Sequence, residues 1–356
     1  MKIIAAKAWL QDLPLTKSYT IAYKTITDTA IVFLELTLEN GCTGIGAANP
    51  FADVVGETPA QTLANLQSGY LDDLKGRDIR TFNLLIDEAK NRFPKMPGTL
   101  AAIDIALHDL FAKFLDMPLL SLFGQQVAAL PTSVTIGIKE SEEMLRDAAE
   151  YYALGFKILK IKTGLNVEAD IERVKKIAEK FSGKMKIRVD ANQGYSLEQL
   201  KQFIDQTRKQ GLELIEQPLK VGSDAALTRL DASDRKLLVA DESLLNANSA
   251  WQLSNPPQPY GVYNIKLMKS GGIKGAREIA VVAKNAGIQL FWGCNDESIV
   301  SITAALHAAY SCSNTQYLDL DGSFDLASDL VTGGFTLKDG YLYPSELPGL
   351  GIRKTN

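Results

Sequence analysis

KILKIK (residues 157–162) and KIRVDAN (186–192) are strand-like runs that end in charge, and five later stretches repeat the pattern. They are LELIEQP (212–218), LLVADES (237–243), VYNIKLMK (262–269), IQLFWGCNDES (288–298) and QYLDLDG (316–322). From Lys162 through Asp190, Glu216, Asp241, Lys266 and Cys294 to Asp319, the clusters advance by 28, 26, 25, 25, 28 and 25 residues. That interval holds one strand, one helix and two short loops, the unit of a βα repeat. In a closed βα barrel the C-terminal ends of all strands gather round one mouth. The spacing therefore predicts that three carboxylates and several lysines share one pocket.

Working outward, 356 residues exceed one barrel and suit a barrel plus a second unit. Before the repeat, IIAAKAWL, TAIVFLELTL and CTGIGAA read as three strands, with Asn40-Gly41 turning the second into the third. Thr58-Pro59-Ala60-Gln61 reads as a helix start, with a capping box and proline at the first helical position. Ile103, Leu107, Leu110 and Phe114 fall at helical spacing and stop before Pro118. Residues 1–125 thus form an α+β unit. The tail after the last strand, with a short hairpin at Asp339-Gly340, is expected to return to that unit, so that about 322–356 complete it and 126–321 form the barrel. The polar and aromatic residues 17–27 and 48–51 read as turns of the first unit that would lid the mouth.

A net charge of −4 without a basic run argues against nucleic acid or an anionic membrane as partner. With no signal-like start and no long apolar run, the chain is expected to be cytosolic. Cys42, Cys294 and Cys312 are odd in number and scattered, which disfavours disulfides and zinc. His108 and His307 fall outside every cluster, so histidine-based hydrolysis is disfavoured as well. Gly271-Gly272 is weak evidence for a phosphate loop, and none is assigned.

The charges have a definite chemistry. Lys160 and Lys162 share one face of their strand, as do Asp319 and Asp321 of theirs. Asp190, Glu216 and Asp241 come from successive strands and supply hard oxygen donors suited to Mg²⁺. Lys162 on the second strand and Lys266 on the sixth would face each other across the barrel. One base on each face of a metal-chelated substrate would remove and return an α-proton through an enediolate, with the lysine pKa drawn down by the dication and a second ammonium. Alone, a Lys-x-Lys is a solvated strand edge, and an aspartate at a strand end is a helix cap. At one phase of a repeat they point to a shared site.

These residues resemble the enolase superfamily, specifically its muconate-lactonizing subgroup. The resemblance spans nearly the whole chain and implies an α/β fold, a (β/α)7β TIM-like barrel with an α+β capping domain. It implies that Lys162 and Lys266 are the acid/base pair, that Lys160 contacts the substrate carboxylate, and that Asp190, Glu216 and Asp241 bind Mg²⁺. Asp319-Leu320-Asp321 resembles the pair with which dipeptide epimerases receive the substrate's α-ammonium, and Thr135 and Cys294 match positions that line the substrate there. Such an isomerase would invert the C-terminal residue X of an Ala-X dipeptide. Lys24 lies roughly where relatives meet a glutamate side chain, whereas Tyr19, Ile21, Tyr23 and Phe51 favour an apolar X. X is therefore expected to be hydrophobic, with Glu as the rival. The alternatives are an o-succinylbenzoate synthase or muconate cycloisomerase, and, beyond catalysis, a ligand-binding barrel. Subgroup members are often homo-oligomers, which extends to this chain by analogy alone.

Overall fold

The computed structural model describes residues 1–22 and 24–355, Lys24 by its backbone alone. Tyr23 lies outside the described residues. Three antiparallel strands open the chain, β1 (Ile3–Ile21), β2 (Lys24–Leu38) and β3 (Thr43–Ala48), with β2 in the middle. Ile31, Val32, Phe33 and Leu34 of β2 are fully buried, and helix Pro97–Phe114 packs across the sheet. Only glycine permits this approach, because a Cβ at Gly46 would lie 2.0 Å from Ala102 O. Buried Glu57 caps the same helix by accepting from the backbone N–H of Gly98 (2.7 Å) and Thr99 (2.9 Å). The capping box at Thr58 forms as its sequence requires, with both reciprocal bonds present.

Residues 17–27 depart from expectation. Residues 17–21 and 24–27 continue β1 and β2 as one long ribbon, pairing Tyr19 with Ile26, Thr20 with Thr25 and Ile21 with Lys24. A register shift between Pro14 and Tyr19 breaks the period-2 pattern there, which is why this segment reads as turns. The ribbon tip is hydrogen-bonded to the barrel, from Ile138 N to Thr20 O at 2.8 Å, while Thr16 N donates to Asp325 O at 2.8 Å.

The barrel strands are β4 (Ser133–Ile136), β5 (Ile158–Lys162), β6 (Lys186–Asp190), β7 (Leu214–Glu216), β8 (Leu238–Ala240), β9 (Val262–Ile265), β10 (Gln289–Gly293) and β11 (Thr315–Asp319). They form one parallel eight-stranded sheet in chain order, and a bridge from Thr132 to Leu318 joins its two edges. Apolar residues such as Leu159, Ile161, Val189 and Ile215 are buried between the strands and the surrounding helices. The register sets Lys162 beside Asp190 and Asp190 beside Glu216, with Lys160 and Arg188 paired one layer below.

In the tail, β12 (Val331–Gly333) pairs with β15 (Ile352–Lys354), and β13 (Phe335–Lys338) forms a hairpin with β14 (Tyr341–Pro344). Asp339 and Gly340 both have positive φ, 52° and 82°, as a two-residue hairpin turn demands. Leu350 N donates to Asp109 Oδ1 at 2.8 Å, which ties the tail to helix Pro97–Phe114. Among the described residues, no helix is long and apolar enough to cross a membrane.

Candidate active site and metal centre

Ligand atoms of Asp190, Glu216 and Asp241, all buried, lie within 4.8 Å of one another at the ends of adjacent strands. Register explains the cluster, since β6 and β7 end on the two acids and Asp241 follows β8 by one residue. Each acid is oriented from behind. Asn192 N donates to Asp190 Oδ1 (2.9 Å), Asn264 Nδ2 to Glu216 Oε1 (2.5 Å), and Lys269 Nζ to the Asp241 carboxylate and backbone carbonyl.

The carboxyls are split by their surroundings. Burial raises Asp190, but Lys162 and Lys160 outweigh it and hold the group down at about 2. Asp241 is likewise lowered, its burial overcome by Lys266 and Lys269. Glu216 is pushed up to about 8 by burial and by Asp190. Its Oε2 lies 2.7 Å from Lys160 Nζ, but off the line of a hydrogen bond, and is otherwise without a partner. Three buried carboxylates offering hard oxygens within 4.8 Å of one another fit Mg²⁺, the cofactor of this site.

Lys162 Nζ is 2.8 Å from Asp190 Oδ2, and Lys266 Nζ is 2.8 Å from Asp241 Oδ2. Both lysines line a cavity of about 340 Å³ between the ribbon, residues 49–59 and the barrel mouth. At Lys266 the lowered pKa expected from sequence is not produced by the protein groups. Burial pulls Lys266 down, but Asp241 and Glu216 outweigh it and raise the group. Lys160 is raised well above the ordinary range for the same reason, its burial outweighed by Asp319, Glu216 and Asp190.

The remaining expected residues lie beside this cluster, in an adjoining cavity of about 80 Å³. Thr135 N donates to Asp321 Oδ2 at 2.8 Å, so it is the backbone of Thr135 that makes this contact. Asp319 accepts from Lys160 and from Ser133. Cys294 Sγ donates to Asp319 O at 3.2 Å, and burial pushes its thiol well up, which suits a cavity wall rather than a nucleophile. The Lys24 side chain lies outside the described residues.

Several site residues escaped the sequence reading. Asp325 lies beyond the last strand cluster, yet it lines the cavity with Asp296 and Asp321. Burial and Asp321 push Asp325 to about 8, and burial and Asp319 push Asp321 to about 7. Tyr19 of the ribbon donates its hydroxyl to Asp296 Oδ2 at 2.8 Å. Lys269 was legible as a second lysine after Lys266, but only the short helix Leu267–Ser270 turns it back beneath Asp241. The glycine pair proves to be a docking turn. A Cβ at Gly272 would meet Asp104, whose Oδ1 accepts from Ile273 N at 2.7 Å. Both histidines are structural, His108 bonded to Asp104 O and His307 accepting from Leu120 N, each at 2.8 Å.

Residues 4–124 match the mandelate racemase / muconate lactonizing enzyme N-terminal domain, and residues 143–355 match the enolase C-terminal domain-like family. An L-Lys-D/L-Arg epimerase of Desulforapulum autotrophicum is 50% identical over 355 residues, covering 99% of this chain and 100% of the relative. The chain superposes with a TM-score of 0.97 on the dipeptide epimerase of Methylococcus capsulatus in complex with Mg and L-Arg-D-Lys, at 46% identity and 99% coverage of both chains. The dipeptide epimerase of Enterococcus faecalis V583 with Mg and L-Leu-L-Tyr gives 0.93 at 34% identity, again with 99% coverage of both. With both domain models matching the chain that forms this carboxylate and lysine cluster, the chain belongs to the mandelate racemase / muconate lactonizing enzyme family of the enolase superfamily.

Proposed function

We propose that this isomerase, a dipeptide epimerase, acts on dipeptides with cationic side chains and inverts the α-carbon of the C-terminal residue. The observation that carries this reading is a surplus of carboxylates. Asp296, Asp321 and Asp325 line the cavity, and among the described residues none has a lysine or arginine within ion-pair distance. Carboxylates that raise one another in a buried wall favour a cationic ligand. One of them serves an α-ammonium, which leaves others for a side-chain ammonium or guanidinium. Ile21 and Phe51 line the neighbouring cavity and suit the alkyl stem of such a side chain. The names of the relatives from Desulforapulum autotrophicum and Methylococcus capsulatus agree with this choice. It replaces the Ala-X expectation, in which Lys24 pointed to Glu and the apolar residues of the neighbouring loops to a hydrophobic X.

In this reading, residues 1–125 with 322–356 form the cap, and 126–321 the barrel that carries the chemistry. Lys162 and Lys266 remove and return the α-proton from opposite faces. Lys160 donates to the substrate carboxylate as negative charge develops there. Bound at Asp190, Glu216 and Asp241, Mg²⁺ supplies Lewis-acid polarisation of that carboxylate. The Tyr19 and Asp296 contact keeps the ribbon over the mouth and limits water.

The test is ¹H NMR of a dipeptide panel in D₂O with Mg²⁺, containing L-Lys-L-Arg, L-Arg-L-Lys, L-Ala-L-Glu and L-Ala-L-Phe. Metal-dependent loss of the C-terminal α-proton signal, fastest for the cationic pairs, is the expected result. Faster exchange of Ala-Glu or Ala-Phe would overturn the cationic assignment and restore the Ala-X one.

A further inference from the structure

Gln217 follows the metal acid Glu216, is fully buried, and touches all three segments that carry the metal carboxylates. Its backbone carbonyl accepts from Gln193 N at 2.7 Å, in the loop that follows Asp190. Its side-chain Oε1 accepts from the backbone N–H of Asp241 at 3.0 Å and of Ser243 at 3.1 Å. One residue thus ties the loop after β6 and the loop after β8 to the end of β7.

The side-chain amide is held in one orientation. Its Nε2 faces three acceptors, Leu219 O at 3.0 Å, Ser243 Oγ at 3.0 Å and Tyr260 OH at 3.1 Å. Ser243 and Tyr260 each direct their hydroxyl proton to Asp224 Oδ1 at 2.6 Å, which leaves lone pairs for Gln217. A flipped amide would set N–H against N–H on one side and oxygen against oxygen on the other. The backbone here is also unusual. Of the six non-glycine residues with positive φ among the described residues, three lie in this knot: Asn192 (39°), Gln193 (68°) and Gln217 (31°). Such backbone persists only where its surroundings over-determine it, and the contacts of Gln217 do so.

The carboxylates themselves are oriented by Asn192 N, Asn264 and Lys269. What Gln217 sets is the spacing of the segments that present them. Spacing decides between ions, because Mg²⁺ demands near-octahedral oxygens at about 2.0–2.1 Å, whereas Ca²⁺ takes more oxygens at about 2.3–2.6 Å in looser geometry.

We propose that Gln217 is the positioning residue of the metal centre: by tying the segments of Asp190, Glu216 and Asp241 together, it holds their carboxylates at the spacing of Mg²⁺ and against the larger Ca²⁺. Tyr260 and Asp224 act through it by fixing its amide. The proposal rests on the metal site and holds whichever dipeptide the enzyme takes.

The test is Mn²⁺ binding to the substrate-free protein, read by EPR with Mg²⁺ and Ca²⁺ as competitors, for wild type, Gln217→Met, Tyr260→Phe and Asp104→Ala. The wild type is expected to prefer Mg²⁺. Gln217→Met keeps the length of the side chain and removes its amide. It should weaken Mg²⁺ by about 10–100-fold and Ca²⁺ by less, so that the preference falls about tenfold. Tyr260→Phe takes one acceptor from the amide and should shift the ratio the same way by a smaller factor. Asp104→Ala loosens a helix cap away from the metal, and should lower Tm while leaving the ratio unchanged. A wild type without preference for Mg²⁺, a Gln217→Met protein with the wild-type ratio whatever its Tm, or a ratio that falls equally in Asp104→Ala overturns the proposal. Should Gln217→Met not fold, Tyr260→Phe decides, and a wild-type ratio in it overturns the proposal. A dipeptide panel without α-proton exchange would sink the epimerase reading alone, since the ion preference is read without substrate.

Discussion

Lys162 and Lys266 are each paired with a different carboxylate of the metal set, Asp190 and Asp241, at the same distance of 2.8 Å. Lys162 ends β5 and Lys266 follows β9, four places away in the order of a closed eight-stranded sheet. In the proposed mechanism, a substrate carbon held between them would meet one ammonium or amine on each face.

Replacing either lysine by alanine is therefore expected to cut epimerisation by about 10²–10⁴-fold while sparing one half-reaction. Lys162→Ala should still exchange the α-proton of one epimer, and Lys266→Ala that of the other. Proton exchange in D₂O, started separately from each epimer, reads this directly. Exchange from both epimers in a single variant would sink the two-base mechanism.

Mg²⁺ should stabilise the fold, because it binds the native carboxylate cluster and finds no such cluster in the unfolded chain. At about a hundredfold over its Kd the gain is about 2.7 kcal/mol, and EDTA should remove it. Asp241→Asn should abolish the response of Tm to Mg²⁺ and with it the epimerase activity. A Tm that rises equally with Mg²⁺ in wild type and variant would place the metal elsewhere.

Asp325 supplies a pH signature. Its folded pKa is raised from 3.8 to about 8, so its contribution to stability is intact below the unfolded value and lost as pH climbs from 3.8 towards 8. Over that range the unfolded chain ionises while the folded carboxyl resists. Asp325→Asn should flatten the decline of Tm across this window and raise KM for a cationic dipeptide at pH 8 by about tenfold. Thermal melts from pH 4 to 8 and KM at the upper end check both parts. A Tm profile identical to wild type would remove Asp325 from the acidic rim.

Asp104 links helix Pro97–Phe114 to the barrel by capping helix Ile273–Asn285, accepting from Ile273 N at 2.7 Å and Lys274 N at 3.2 Å. Loss of a helix cap costs about 0.5–2 kcal/mol, and this one is fully buried, so Asp104→Ala should fall at the upper end of that range. Urea unfolding measures it. Asp104→Asn, which keeps an acceptor, should recover part of the loss, and equal destabilisation by both would argue against capping.

Much of the site was legible because a barrel converts a period in sequence into a ring in space. Lys160, Lys162, Asp190, Glu216, Asp241 and Lys266 all sit at one phase of the repeat, and the structure brings these six side chains together. Asp325 was missed, since it lies beyond the last strand-end cluster, and Tyr19 was read only as part of an apolar loop and not as the donor to Asp296. Asp325 reaches the mouth from the segment after β11, and Tyr19 from the far end of a ribbon whose bulge hides its alternation.

The sequence by itself determined which residues carry the charge and which strand presents each one, because side-chain alternation and the length of a βα unit are local properties. Only the tertiary structure decided how those charges are shared. Ser133 and Asp319 are 186 residues apart in the chain and 2.5 Å apart in space, and that contact separates Asp319 from Asp321, which is otherwise its twin in the motif. Desolvation and Coulomb interactions depend on distance through the folded interior, so pairing, proton affinity and the gathering of acids at the cavity emerge only when the barrel closes under its ribbon.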